Sequence, residues 1–170
     1  WVADMDFAAP PAVTAALQAR AAHPVYGYTF YPDGLYAALI DWFDHRHHWR
    51  IERDWLLMTP GVVPSLHAAV LAFTRLGEQV IIQPPVYPPF FSCISTLNRQ
   101  AALNPLLLVD GQYRMDFAGL ERCAANGARL LILCSPHNPV GRVWTPDELQ
   151  QVLAIARRYQ LVVLADEIGR

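Results

Sequence analysis

Short runs of consecutive apolar residues alternate along the chain with longer segments in which apolar residues recur every three or four positions. The short runs predict β-strands at 55–58, 79–83, 103–109, 130–134 and 161–165. Most of these runs are apolar at every position rather than at alternate positions, which is typical of strands that are buried on both faces of a parallel sheet.

The longer segments predict helices between these strands, at 10–22, 35–47, 61–76, 90–97, 116–125 and from 145 onward. Thr145, Pro146 and Glu148 form a capping-box pattern at the start of the last helix. Because helices and apolar strands alternate, we predict an α/β fold with a mostly parallel sheet and helices on both faces.

The composition indicates a globular protein and gives no support for nucleic-acid binding or a membrane span, but it does not identify one function. The chain has 170 residues, of which 54% are hydrophobic, so it is long and apolar enough for a core. A net charge of −2 gives no reason to expect nucleic acid or an anionic membrane as partner. No apolar run approaches the ~18 residues of a membrane span. The three cysteines have no metal or redox spacing, which favours a cytoplasmic location.

All 13 basic residues counted as Lys or Arg are arginines, so the chain contains no lysine. No side-chain amine is therefore available within it to form a Schiff base. The sequence starts at Trp1 rather than at methionine and stops at Arg170, just after a predicted strand. We expect it to be part of a longer protein.

Four features are predicted to meet at the carboxyl edge of the sheet. Asn138 and Asp166 follow neighbouring strands, and Tyr87 follows the strand at 79–83. The helix that begins near Gly61 can offer free N–H groups to a phosphate. Together these features match the groups of pyridoxal 5′-phosphate. The helix start would bind its phosphate and the aromatic side chain would stack on its ring, while the amide would bond its phenolic oxygen and the carboxylate its basic ring nitrogen.

Each of these residues also has a plainer interpretation. Asn138 could be a turn residue, Asp166 a helix cap or salt-bridge partner, and Tyr87 a core side chain. Tyr28, in the aromatic stretch 26–31, could equally be a core residue. Three histidines near Arg46 are interpreted as solvated helix-end residues: His45, His47 and His48. His137, directly before Asn138, is interpreted as a loop residue, and no metal site is predicted.

Six motifs, in this order, resemble those of one enzyme family: WVADMDF (1–7), YGYT (26–29), GVVP (61–64), PPVY (84–87), SPHNPVG (135–141) and DEI (166–168). The chain resembles the fold-type I pyridoxal-phosphate enzymes of aminotransferase class I/II, within them the cystathionine β-lyase-like (C–S lyase) branch. The resemblance covers essentially the whole chain. It implies an incomplete large domain of the PLP-dependent transferase fold.

The resemblance implies a role for each candidate residue. Backbone amides of Val62 and Val63, next to Gly61, would hold the phosphate, and Tyr87 would stack on the pyridine ring. Asn138 would donate a hydrogen bond to the phenolic oxygen, and Asp166 would pair with the ring nitrogen. These assignments make pyridoxal phosphate the expected cofactor.

The resemblance also implies partners and domain organisation. Tyr28 would reach the cofactor phosphate of the neighbouring subunit, which makes a homodimer the expected assembly. Ala3 and Asp4 would line the substrate entrance. Residues 1–50 would form an N-terminal segment with the dimer and active-site loop, and residues 51–170 the first part of the cofactor-binding domain.

Two departures from the family leave the activity of this chain open. Gly169 stands where the C–S lyase branch usually has histidine. The family's lysine and its carboxylate-binding arginine lie further along the chain than Arg170. The resemblance predicts a parent enzyme that acts on amino acids, first a C–S β-lyase and otherwise an aminotransferase. A lysine-free binding or regulatory module without catalysis is the alternative.

Overall fold

The computed structural model describes residues 5–168, which divide into one compact unit that ends at Leu57 and another that begins at Met58. The first unit contains α1 (Pro11–Ala22), α2 (Asp33–His47) and a short 3-10 helix (Arg53–Trp55). Arg53 forms an ion pair with Asp33 at 2.5 Å and stacks over the ring of Tyr36. These contacts attach the short helix to the start of α2.

The strand predicted at 55–58 is wrong. The chain there leaves the 3-10 helix, with the N–H of Leu56 bonded to the carbonyl of Arg53 at 3.0 Å, and continues without strand pairing. Leu57 is strongly exposed, whereas a strand inside a parallel sheet would bury it. Four apolar residues in a row are therefore too short a signal to predict a strand when no neighbouring strand is available.

The second unit contains a four-stranded parallel sheet in the order β2-β1-β5-β6 and a separate antiparallel hairpin, β3-β4. The strands are β1 (Gln79–Ile82), β2 (Gln100–Leu103), β3 (Leu107–Val109), β4 (Gln112–Arg114), β5 (Leu130–Cys134) and β6 (Val162–Asp166). The helices are α3 (Val62–Phe73), α4 (Pro89–Thr96), α5 (Phe117–Ala125) and α6 (Pro146–Tyr159).

Helices cover both faces of the sheet, as predicted. Alternate residues of the strands contribute to two separate apolar clusters: Ile81 and Leu131 pack with α5 and α6, whereas Val80 and Ile132 pack with α3 and α4. Every residue of β5 is buried. The continuously apolar run at 130–134 is therefore explained by a strand that faces a helical layer on each side.

The run at 103–109 forms two strands rather than the single strand that was predicted. The chain leaves β2 at Leu103 and re-enters a strand at Leu107, because Pro105 has no N–H to donate to a ladder. Asn104 is buried at the break, where its amide donates to the carbonyl of Asp116 at 3.0 Å and accepts from Gln83 at 3.1 Å. The hydrogen bonds of Asn104 thus fix the backbone at the point where strand pairing ends.

The predicted capping box at the start of α6 is confirmed. Thr145 Oγ1 accepts from the N–H of Glu148 at 3.2 Å, and Glu148 Oε2 accepts from the N–H of Thr145 at 2.8 Å. Arg142 adds two hydrogen bonds to the same carboxylate, at 2.8 and 3.1 Å. Burial raises the pKa of Glu148, but the Thr145 and Arg142 donors outweigh it and hold that pKa below its usual value.

Replacing Glu148 by alanine is expected to lower the free energy of unfolding by about 2 kcal/mol, because the helix cap and a charge-assisted pair are lost together. Glu148→Gln keeps an acceptor for Thr145 and should lose about half as much. Urea unfolding at neutral pH measures both, with the exposed Gln150→Ala as control. The folded state lowers the pKa of Glu148, so the wild-type protein should have a higher free energy of unfolding than Glu148→Gln at neutral pH. This difference in the free energy of unfolding should shrink as the pH falls below about 4. An advantage that persists in acid would contradict this account.

Candidate functional site

The predicted cofactor residues of the second unit cluster at the carboxyl edge of the sheet. β1, β5 and β6 are parallel, so all three end at the same edge. Tyr87 follows β1, Asn138 follows β5, and Asp166 is the last residue of β6. Cys134 is the register partner of Asp166 and belongs to the apolar cluster beneath α3 and α4, as does the ring of Tyr87.

The start of α3 lies toward this same edge. Its last residues reach the opposite edge, where Arg99, just before β2, donates to the carbonyl of Thr74 at 2.7 Å. Since α3 is 12 residues long and packs along the sheet, its first turn faces the carboxyl ends of the strands.

The first turn of α3 has no side-chain cap. Gly61 stands at the N-cap position, followed by Val62 and Val63. The carbonyl of Gly61 accepts from Ser65 Oγ at 2.8 Å and from the Ser65 N–H at 3.2 Å, and Thr59 Oγ1 lies 2.7 Å from Ser65 Oγ. These bonds fix the loop but do not use the N–H groups of Val62 and Val63. At the positive end of a helix dipole, such groups can bind an anion.

A side chain at Gly61 would meet only ordinary packing within this unit. The nearest atom to a Cβ built there is Pro64 Cδ, at 3.7 Å. The space around Gly61 therefore does not demand a glycine, but its backbone does: φ is +158° and ψ is 170°, a conformation that residues with a side chain rarely adopt. The predicted reason, close approach of a phosphate to the backbone, stays a prediction that agrees with this space.

Asp166 is buried, with 6% of its surface exposed. Its Oδ1 accepts from the N–H of Ile168 at 3.2 Å, and its carbonyl accepts from the N–H of Ser135 at 3.0 Å. Among residues 5–168 no cationic side chain forms an ion pair with it. A buried carboxylate without a cation is costly, so this site suits a positively charged ligand group.

Tyr87 and Asn138 lie on the loops that follow β1 and β5, at the same sheet edge as this carboxylate. The Tyr87 ring is half-buried and meets Phe90 edge-on, with ring centroids 6.0 Å apart at an interplanar angle of 87°. Asn138 is exposed, and its backbone N–H donates to Cys134 Sγ at 3.5 Å. The Tyr87 ring is oriented by the core, whereas the Asn138 amide remains accessible to a ligand.

His137 is the residue that the sequence interpretation missed. The sequence predicts a loop residue here, and His137 does lie in the loop after β5, but it is only 1% exposed, with Nε2 3.0 Å from the carbonyl of Pro85. Trp144 packs against its ring edge-on at 5.4 Å and donates from Nε1 to the carbonyl of Cys134 at 2.8 Å. Two polar residues between prolines, as His137 and Asn138 are, carry no periodicity signal, so only the fold shows that His137 is buried.

Three other predicted residues are not placed with this group. Tyr28 belongs to the first unit, where its side chain is fully exposed. Ala3 and Asp4 lie outside the described residues. Their roles stay predictions.

A separate groove of about 550 Å³ contains none of the predicted cofactor residues. It runs between the turn of the β3-β4 hairpin and the start of α6, lined by Tyr113, Arg114, Arg142 and Glu148 among others. Within residues 5–168, no three His, Cys, Asp or Glu side chains are grouped to bind a metal ion. None of the described helices combines the length and apolarity that crossing a bilayer requires.

Comparison with protein-family models matches residues 2–168 to aminotransferases of class I and II. The chain belongs to this family. Among curated members, it is 42% identical over 169 residues to cystathionine beta-lyase PatB of Bacillus subtilis, covering 99% of this chain and 44% of that protein. It is 33% identical over 172 residues to protein MalY of Escherichia coli, covering 98% and 43%. The chain thus spans less than half the length of these relatives.

Solved structures of the family share its fold. Cystalysin from Treponema denticola, which contains pyridoxal 5′-phosphate, superposes with a TM-score of 0.94 at 42% identity, over 98% of this chain and 43% of that one. A PLP-bound C–S lyase from Staphylococcus hominis gives 0.94 at 29% identity, over 99% and 44%. The predicted resemblance to the C–S lyase branch, and the predicted fold class, are confirmed.

Proposed function

We propose that the protein containing this chain is a pyridoxal-phosphate-dependent enzyme that acts on amino acids, as a C–S β-lyase. The observation that carries the proposal is the buried carboxylate of Asp166, which has no cationic partner in the described chain and lies at the same sheet edge as the uncapped start of α3. The names of PatB and of the cystathionine beta-lyase of Corynebacterium glutamicum, 31% identical, support the reaction class.

The donor set at this edge fits the proposed cofactor. The N–H groups of Val62 and Val63 would hold its phosphate, with Gly61 leaving room for it. The Tyr87 ring would stack on its pyridine ring, and the Asn138 amide would donate to its phenolic oxygen. The phosphate, the pyridine ring and the phenolic oxygen would thus each meet groups of complementary chemistry.

The chain's own residues would bind the cofactor, orient its ring and hold one proton on its ring nitrogen. When bound, the cofactor supplies an electron sink for the bond that breaks at the substrate's α-carbon. Asp166 would keep a proton on the ring nitrogen, because a nearby buried anion favours the protonated form. Asn138 and Tyr87 would fix the tilt of the ring, so that it is oriented before the substrate arrives.

The chain contains no lysine, so no side chain within it can form the covalent Schiff base with the cofactor. The amine that accepts the substrate's amino group and moves its α-proton would therefore come from outside these 170 residues. If the protein has no such lysine, the alternative of a binding or regulatory module without catalysis applies.

Borohydride reduction tests this assignment directly. The protein, expressed as its gene encodes it and saturated with pyridoxal phosphate, should show an absorbance band near ~420 nm that borohydride removes. Peptide mapping should place the reduced adduct on a lysine outside residues 1–170. An adduct on any residue inside that range would overturn the assignment, and absence of any adduct would favour the non-catalytic alternative.

Product analysis separates the lyase from the aminotransferase. L-Cystathionine and water should give homocysteine, pyruvate and ammonia in equal amounts, with no 2-oxo acid added. The aminotransferase alternative is favoured by the family name and by the 28% identity to aspartate aminotransferase of Sulfolobus acidocaldarius. It predicts amino-group transfer to an added 2-oxo acid and no ammonia, and that result would replace the lyase proposal.

We also propose a homodimer in which Tyr28 reaches the neighbouring subunit's cofactor phosphate. The first unit supports this, because α1 buries none of its residues and the side chains of Tyr28 and Phe30 are almost fully exposed. Residues 1–50 would be the N-terminal segment that carries this loop, and residues 51–170 the first part of the cofactor-binding domain. Ala3 and Asp4 are proposed to line the substrate entrance, and the proposed location is cytoplasmic.

A further inference from the structure

His137 connects two loops that come from different strands. Its ring Nε2 lies 3.0 Å from the carbonyl of Pro85, although the two residues are 52 positions apart in the sequence. Pro85 lies in the loop that carries Tyr87, and His137 directly precedes Asn138. One side-chain hydrogen bond therefore joins the loop of the proposed stacking ring to the loop of the proposed amide donor.

The backbone around His137 holds the ring firmly. Its N–H donates to the carbonyl of Arg142 at 2.7 Å, and its carbonyl accepts from the N–H of Gly141 at 2.7 Å. Asn138 lies inside the turn that these two bonds close. Trp144 packs edge-on against the imidazole. Since both the backbone and the ring of His137 are fixed, any movement of the Pro85 loop would be transmitted to Asn138.

The chemistry of the contact sets the protonation state of the ring. Burial lowers the pKa of His137, and this outweighs the carbonyls of Pro85, Cys134 and Gln83, which favour the charged form. The imidazole is therefore neutral near neutral pH and has a single N–H. We assign that N–H to Nε2, because the Pro85 carbonyl 3.0 Å away can only accept a hydrogen bond. His137 Nδ1 is buried without a hydrogen-bond partner among the described residues.

We propose that His137 is a positioning residue for the cofactor: its Nε2–H bond to the Pro85 carbonyl fixes the spacing between Tyr87 and Asn138. This inference rests on the proposed function, because the spacing matters only if both side chains contact one ring. Because His137 is 1% exposed, its ring is not open to a substrate, and its role is to position the neighbouring loops. A rigid imidazole suits the task better than a flexible side chain, since its donor has only two rotatable bonds.

Two substitutions of similar polarity separate the hydrogen bond from the rest of the side chain. In His137→Gln the amide nitrogen can take the place of Nε2, whereas in His137→Asn it reaches only as far as Nδ1. We expect the dissociation constant for pyridoxal phosphate to rise about tenfold in His137→Asn and less than about threefold in His137→Gln. The induced visible circular dichroism of saturated His137→Asn should also be weaker, because the ring is held less uniformly.

A control separates positioning from general stability. Thr74→Val removes the bonds of a buried hydroxyl to Val70 and Arg99 at the opposite edge of the sheet. It should lower the melting temperature of the cofactor-free protein without changing cofactor affinity or circular dichroism. If His137→Asn does not fold, His137→Phe replaces it in the comparison of cofactor affinity with His137→Gln, because phenylalanine fills the volume of the imidazole but cannot donate a hydrogen bond.

All measurements use the protein as its gene encodes it. The inference is overturned if the substituted proteins bind the cofactor with unchanged affinity and dichroism, or if Thr74→Val weakens binding as much as His137→Asn does. These results leave the proposed function intact, because the unsubstituted protein binds. Failure of the unsubstituted protein to bind pyridoxal phosphate would instead overturn the proposed function, and this inference with it.

Discussion

Asp166→Asn is expected to lower kcat/KM of the proposed enzyme by roughly 10²- to 10⁴-fold. The change is nearly isosteric and keeps an acceptor for the N–H of Ile168, but it removes the negative charge. Removing one partner of a buried charge pair costs about 3–5 kcal/mol, which corresponds to that range of rates. The loss should fall mainly on kcat, because a ring nitrogen without its proton withdraws electrons less well.

Steady-state kinetics with L-cystathionine at saturating cofactor measures this effect. Asp147→Asn removes an exposed carboxylate from the first turn of α6 and serves as the control with unchanged kinetics. Thermal unfolding of cofactor-free Asp166→Asn should show no loss of stability, since a buried, unpaired charge is removed. Wild-type kcat/KM in Asp166→Asn would refute the pairing of this carboxylate with the cofactor.

Phe90→Ala is expected to lower the free energy of unfolding by about 3–5 kcal/mol, the usual cost of removing a buried phenyl ring and leaving a cavity. Phe90 is completely buried in the cluster between the sheet and the layer of α3 and α4. It is also the ring against which Tyr87 packs. The substitution should therefore weaken cofactor binding as well, because Tyr87 loses its support.

The neighbouring residue provides a matched control on the same helix. Phe91 is 39% exposed, so Phe91→Ala should cost less than about 1.5 kcal/mol. Phe90→Leu keeps most of the volume and should also stay below about 1.5 kcal/mol. Urea unfolding followed by circular dichroism measures all three. Equal losses in the Phe90 and Phe91 alanine variants would show that α4 does not pack as described.

The layered fold could be predicted because each buried element has its own local signal. The apolar run at 130–134 and the capping box at Thr145 are both found where the sequence placed them. Parallel pairing then brings the ends of β1, β5 and β6 to one edge without further information. For this reason the sequence alone places Tyr87, Asn138 and Asp166 at one edge of the sheet.

The failures arise where long-range packing overrides local pattern. Residues 55–58 have a strand-like apolar run but no neighbouring strand to pair with. Residues 103–109 are divided at Pro105, which cannot donate to a ladder, and the buried amide of Asn104 beside it forms hydrogen bonds with groups distant in sequence. His137 is buried by contacts with Pro85 and Trp144, and nothing in its immediate neighbours indicates those contacts. Tertiary partners of this kind leave no periodic trace in a sequence.

The register between β5 and β6 limits how this protein can change in length. Cys134 pairs with Asp166, so the carboxylate keeps its place only while both strands keep their residue count. One inserted residue within β6 would turn Asp166 to the face covered by α5 and α6. A residue added in the turn after α5, near Gly127, would leave the register intact. Insertions that preserve the site should therefore be confined to the connections between elements.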